Sequence, residues 1–306
     1  MVKKVTFFGL IGLILVGFVF ASYAMAGGLK KVVAVSRFEN KTSFGGSGRV
    51  SLDEGMADQL TDALIQSGQF VVLERETLAD VIAEQDMAAT GRFQRSGSAR
   101  TGKLTSVQVL VKGTITEFEL TESGSGTGIG FKGFKIGTKR EEAHVGLIIR
   151  LIDTTTGEVL ASRRVEGKAK SGGFKFGMED IEGVDFGTES FHKTPLGKAT
   201  QITIDNAVEF IASNLRALPF QGRIIKVKGG EVFISAGEQT DTSVGDIFTV
   251  YSVGEELVDP DTGELLGVEE EETGELKIFQ VKKKYSKARI VGGCKGIKRG
   301  DIIRSK

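Results

Sequence analysis

His144-Val-Gly-Leu-Ile-Ile-Arg-Leu-Ile-Asp-Thr-Thr-Thr-Gly-Glu-Val-Leu-Ala-Ser-Arg-Arg-Val-Glu-Gly167 is the stretch whose reading decides the fold. Val145, Leu147, Ile149 and Leu151 alternate at the period of a strand, so one face of a sheet is apolar. Asp153 to Gly157 reads as a turn, with Gly157 free to take a positive φ. Val159 to Val165 returns as the partner strand. Ser123–Thr138 precedes this hairpin and Lys170–Phe191 follows it, both built on Gly, Ser, Phe and Lys. A central hairpin whose outer ends run into glycine-rich, aromatic-dotted excursions predicts a domain that sends paired β arms away from its core.

The excursions themselves carry strand-period patterning. Phe174, Phe176 and Met178 fall on even positions, and Val184 and Phe186 do so again after the turn Glu179–Gly183. Lys175 and Asp185 take the other face. In the first arm Ile129 and Phe131 alternate, Gly133 breaks the phase, and Phe134 and Ile136 resume it. One apolar and one polar side is the pattern of a membrane-barrel hairpin. A membrane strand wants ~9–11 residues, and each apolar run supplies about half of that. Membrane hairpins and soluble glycine loops therefore both stay open on these residues alone.

Upstream, Lys3 and Lys4, the apolar run Val5–Phe20 and the triplet Ala24-Met25-Ala26 predict a cleavable export signal over 1–26. That run is shorter than the ~20 residues of a spanning helix. From Lys30 to Glu122 the chain reads as α/β. Lys31–Phe38 is a buried-type strand rich in β-branched residues. Glu39–Gly48 is a polar loop, and Ser51 with Glu54 has the spacing of a capping box. Leu52, Met56, Leu60 and Leu64 follow at helical spacing, and Gly68 stops the helix. Gln69–Leu73 is a strand, Thr77–Met87 a second helix with Leu78, Val81 and Ile82 on one face, and Val107–Leu120 a long strand. Pro195 opens a long helix with the stripe Ile204, Val208, Ile211, Leu215 and Leu218, and Pro219 ends it.

From Phe220 onward the texture changes to short strands. Gly222–Val227, Glu231–Ala236, Asp246–Val253, Glu275–Lys284, Lys287–Val291 and Asp301–Arg304 have the spacing of a small antiparallel barrel. Asp259-Pro-Asp-Thr-Gly263 reads as a turn rather than a calcium loop. Glu269–Glu272 reads as a solvated acidic rim, and Lys282–Lys284 with Tyr285 as a basic patch with one aromatic.

Composition bounds the chemistry. The chain has 306 residues, 40 Lys plus Arg against 40 Asp plus Glu, and 40% apolar residues. The balance gives no whole-chain argument for nucleic acid. Cys294 is the sole cysteine, so no intrachain disulfide forms. The loop Gly45–Gly48 lacks the Lys-Ser or Lys-Thr of a phosphate loop. His144 and His192 belong to no metal box or triad-like spacing. No cofactor and no catalytic residue is expected.

The order of features from Val32 to Leu215 resembles the curli secretion channel family, the CsgG-like proteins. The residues that carry it are Val32–Leu64, Leu73-Glu74-Arg75, Val109–Ile115, Leu151–Val159 and Thr194–Ala199. The resemblance implies a periplasmic α/β domain assembled into a ring, nonameric in the family pattern. Each protomer would lend two β hairpins to one outer-membrane barrel, through which unfolded, amyloid-forming substrate passes. Ile129, Phe131, Phe134, Ile136, Phe174, Phe176, Met178, Val184 and Phe186 are the membrane-hairpin candidates. Phe44, in the stretch Asn40–Arg49 that matches the family's constriction loop, is the constriction candidate. The chain departs from the family's lipoproteins in having no lipidation cysteine. Its last segment resembles the small β domain of the flagellar protein FlgT, which implies docking to a partner or to the cell envelope.

The expected organisation is a signal peptide (1–26), an α/β domain (27–218) with hairpin arms at 121–140 and 168–192, and a small all-β barrel (219–306). The expected function is that of a non-enzymatic subunit of a ring-forming outer-membrane channel. Its partners are further copies of itself, a secreted polypeptide, periplasmic or envelope accessory proteins and the outer membrane, with no nucleic acid. A soluble periplasmic adaptor built on the same α/β domain is the other class.

Overall fold

The computed structural model describes residues 29–44, 51–75, 77–90, 105–123, 140–171, 188–263, 265–293 and 296–306. The export segment, all nine membrane-hairpin candidates and Cys294 lie outside the described residues. The chain folds as a mixed α/β sheet with helices, followed by a closed six-stranded all-β barrel.

The sheet has the order β3-β1-β4-β5-β6. β1 (Lys31–Val35) lies parallel to both β3 (Phe70–Val72) and β4 (Val109–Ser123). β4, β5 (Arg140–Asp153) and β6 (Val159–Ser171) form an antiparallel meander. β2 (Glu39–Asn40) adds a short parallel pairing to β4 at Thr114 and Ile115. Strand alternation decides which face is buried. Ala143, Val145, Leu147, Ile149 and Leu151 are all fully buried under α4 (Pro195–Ala217), and α1 (Leu52–Gln66) packs beside α4 over β1 and β3.

α4 is the main cover, and its start is well defined. Thr194 Oγ1 accepts from the Gly197 N–H at 2.9 Å and donates to the Phe191 carbonyl at 2.7 Å, while Pro195 fills the first turn. The short helix α3 (Glu189–Lys193) leads into it. Deeper along α4, Thr203 Oγ1 donates to the Ala199 carbonyl at 2.8 Å and lies 3.1 Å from the Val145 carbonyl. Gly167 on β6 permits this approach, because a Cβ there would collide with the Ala199 carbonyl oxygen.

The barrel runs β10-β11-β8-β7-β12-β9 and closes on itself. Its strands are β7 (Gln221–Lys228), β8 (Glu231–Ile234), β9 (Ile247–Val258), β10 (Leu265–Val281), β11 (Ser286–Gly292) and β12 (Ile302–Ser305). Its own core includes Phe220, Ile224, Val232, Ile234, Phe248 and Leu276. Lys30 and Gln108 tie it to the sheet. The Lys30 N–H donates to the Thr240 carbonyl at 3.1 Å. Gln108 accepts from the Val32 N–H through Oε1 at 3.0 Å and donates from Nε2 to the Gln221 carbonyl at 2.5 Å.

Several local expectations are corrected. Ser51 caps α1 by position only: its hydroxyl sits 3.4 Å from the Glu54 carboxylate and accepts from Arg37 Nη2 at 3.1 Å, so no capping box forms. Glu39 and Asn40, read as loop, are strand. α2 (Leu78–Ala89) forms, but its face is not core. Val81 and Ile82 are exposed, and Gln85 is its buried residue. Glu269–Glu272, expected as a solvated acidic rim, are exposed and lie within β10, paired with β9.

Candidate functional site

The site is the end of the β4-β5-β6 meander. Ser123 is opposite Arg140, and Glu141 is opposite Ser171. Three neighbouring strands thus end in register at one edge of the sheet. Both glycine-rich segments, 124–139 and 172–187, attach there. The first joins β4 to β5, and the second leaves β6 toward α3. Pairing of adjacent strands fixes the two attachment points side by side.

The meander face turned away from the helices is polar, and its charges are paired across strands. Glu142 on β5 holds Lys170 on β6 at 3.2 Å. His144 Nε2 lies 2.9 Å from Glu166 Oε2. Arg164 on β6 reaches Glu117 on β4 at 2.8 Å, crossing over Gly146 of β5. A side chain at Gly146 would strike the Glu117 carboxylate, so this glycine makes room for the bridge. The hydrogen bond from His144, followed by Lys168, holds the Glu166 carboxyl below its ordinary range. These pairs are exposed to solvent, so they favour the register without adding much to stability.

Phe44, the expected constriction residue, is the last described residue of the stretch 40–49. Asn40 closes a tight turn: its Oδ1 accepts from the Thr42 N–H at 2.9 Å and its Nδ2 donates to the Phe44 carbonyl at 2.6 Å. The Phe44 ring rests on Phe118 of β4, with centroids 4.8 Å apart. Half-buried there, it braces the start of the loop against the sheet core. His192 sits at the end of α3 beside the Phe191 ring, about 50 residues along the chain from His144 by number, and the structure brings neither histidine to the other.

Among the described residues no group of three or more His, Cys, Asp or Glu side chains could hold a metal ion. No helix among them is long and apolar enough to cross a membrane, which says nothing of a β-barrel. A cavity of about 670 Å³ lies where the sheet meets the barrel, lined by Leu29, Lys31, Phe70, Leu215, Phe220 and Lys306 among others. Sequence reasoning missed Gln108, whose bridging role leaves no pattern in the chain, and the Glu117–Arg164 bridge, whose trace is Gly146 amid apolar residues.

A family model described as curli production assembly/transport component CsgG matches residues 24–242. The match runs past α4 and takes in β7 and β8. No curated protein matches the chain. Among solved structures, a hypothetical protein from Chlamydia trachomatis is 14% identical, with 62% of this chain and 99% of that one covered at a TM-score of 0.39. The protein XCC0632 from Xanthomonas campestris is 10% identical, with 63% and 89% covered at 0.32. A dodecamer of a PelC variant from Paraburkholderia phytofirmans is 15% identical, with 63% and 89% covered at 0.27. Likenesses at these scores carry no argument here.

Proposed function

The chain belongs to the family of the curli production assembly/transport component CsgG, and from that premise we propose that it is a non-enzymatic subunit of a ring-forming outer-membrane secretion channel. The observation that carries the reading is the in-register end of β4, β5 and β6, with two chain segments attached side by side. Each segment is 16 residues, long enough for a hairpin but far too short for a barrel. A hairpin placed in lipid leaves unpaired backbone groups along both edges, and each such group costs several kcal/mol. Closure with the hairpins of neighbouring copies removes those edges. In this reading Ile129, Phe131, Phe134 and Ile136 face lipid in the first hairpin, and Phe174, Phe176, Met178, Val184 and Phe186 in the second. Phe44 is the constriction-loop residue, braced by Phe118. The substrate is an unfolded polypeptide that crosses by diffusion in a confined space. After removal of the export signal the α/β domain and the barrel stand on the periplasmic side.

The test is negative-stain microscopy of the mature chain extracted from outer membranes in mild detergent. Rings with a stain-filled centre are the expected result, and Phe174→Asp with Phe176→Asp removes the need for detergent. A monomer or dimer recovered from the soluble periplasm overturns the channel and leaves an adaptor on the same fold.

A further inference from the structure

β9 and β10 are longer than the barrel needs. β12 pairs with β9 from Phe248 to Tyr251, and β11 pairs with β10 from Glu275 to Val281. Beyond those points Ser252–Val258 and Leu265–Glu271 pair only with each other. Seven residues at ~3.3 Å each carry this two-stranded arm about 20 Å past the barrel. Between Ser252 and Gly274 the chain has nine Asp or Glu residues and no Lys or Arg. The Glu270–Arg304 pair at 2.6 Å neutralises one of them. Among the described residues Glu255, Glu256, Glu269 and Glu271 carry no ion pair. Near the tip Leu257, Val258 and Leu266 are 52%, 49% and 65% exposed.

The wall diametrically across the barrel has the opposite character. In the closed order, β7 and β8 stand opposite β9 and β10. Lys226 lies beside Phe233, which lies beside Lys287, in one row across β7, β8 and β11. Lys228, Glu231 and Arg289 form the next row. The Lys287 ammonium lies 5.2 Å from the Phe233 ring centre. Lys226 and Lys228 are exposed, without an ion pair among the described residues, and Ile225, next to the Lys226 row at the β7 register shift, is 44% exposed.

We propose that the acidic β9–β10 arm of one copy docks on the basic, aromatic face of β7 and β8, with Lys287 of β11 at its margin, on the next copy. Charge complementarity selects this partner, and the like charge of two arms opposes arm-to-arm pairing. Because the giving and receiving surfaces are on opposite walls, the contact is head to tail, which generates a closed ring or an open filament. The inference rests on the channel reading only for closure into a ring. The arm's apolar tip then covers Ile225, and the free arm edge is shielded from other strands.

Cysteines at the two surfaces test it in the full mature chain: Leu257→Cys with Ile225→Cys, on a Cys294→Ser background. Mild oxidation is expected to give a ladder beyond dimer that requires both cysteines. Glu255→Lys with Glu256→Lys, or Lys226→Glu with Lys228→Glu, should each lower the ladder yield about tenfold at low salt. All four substitutions together restore it. Dimers formed by Leu257→Cys alone overturn the head-to-tail contact. Stain-filled rings without a ladder overturn it too, and leave the channel reading intact. A ladder without rings upholds the contact and sinks the channel.

Discussion

Lys31 opens β1 with its side chain buried beside the Phe220 ring, whose centre is 5.6 Å from the ammonium. Burial pulls its pKa from 10.5 down to about 8. Between those two values the unfolded chain keeps a proton that the folded chain has released, so stability rises with pH across that window. Below about 8 both states are charged and the cost of burial is felt in full. Lys31→Met is expected to be about 2 kcal/mol more stable at pH 7, with the gap closing by pH 10.5. Urea titrations of both chains at the two pH values measure it. Gly167 is a second residue whose neighbours decide its identity. Gly167→Ala forces α4 off β6 and should cost about 1–3 kcal/mol or more, as overpacking does. Chemical denaturation reads the loss, and Gly157→Ala, open to solvent but at φ 78°, gives a comparison with backbone strain alone.

At the scale of elements, α4 depends on its first turn. Thr194→Ala removes the acceptor for the Gly197 N–H in a buried setting, with an expected cost of about 1–2 kcal/mol. Thr194→Ser should recover most of it, and thermal unfolding of the three chains checks this. The elements that were legible in sequence share one property: a single buried face. Val145 to Leu151 alternates because helices cover one side and water the other. The stripe of α4 repeats because one side meets the sheet. Where both faces meet water, no period survives. Glu269–Glu272 hid the first ten residues of β10, since a two-stranded arm buries neither face. The outer ends of β5 and β6 hid behind Glu141, Glu142, Lys168 and Lys170, charged residues of which Glu142 and Lys170 pair across the strands. α2 failed in the reverse sense: Leu78, Val81 and Ile82 have the spacing of a buried face, yet Val81 and Ile82 stay exposed among the described residues. The candidate site was legible only as its attachment, because register is a property of three strands together.

At the scale of the whole molecule, Gln108 couples the sheet to the barrel through one side chain. Gln108→Leu leaves the Val32 N–H without its acceptor and removes the donor to Gln221, at a cost of about 1–3 kcal/mol. Calorimetry is expected to give one unfolding transition for the unaltered chain and two for the variant, barrel and sheet apart; one transition in both means other contacts carry the coupling. The meander end has a different consequence. β4, β5 and β6 are held by their pairing and by α4, so what joins their ends contributes little to holding them. Closing a loop costs only about 0.6 kcal/mol for each doubling of its length. Replacing 124–139 and 172–187 with short turns should leave sheet and barrel folded, as far-UV circular dichroism and a retained thermal transition would show. The meander end is thus a pair of sockets. Descent can change what is plugged into them, in length and in composition, while the body that carries them stays the same.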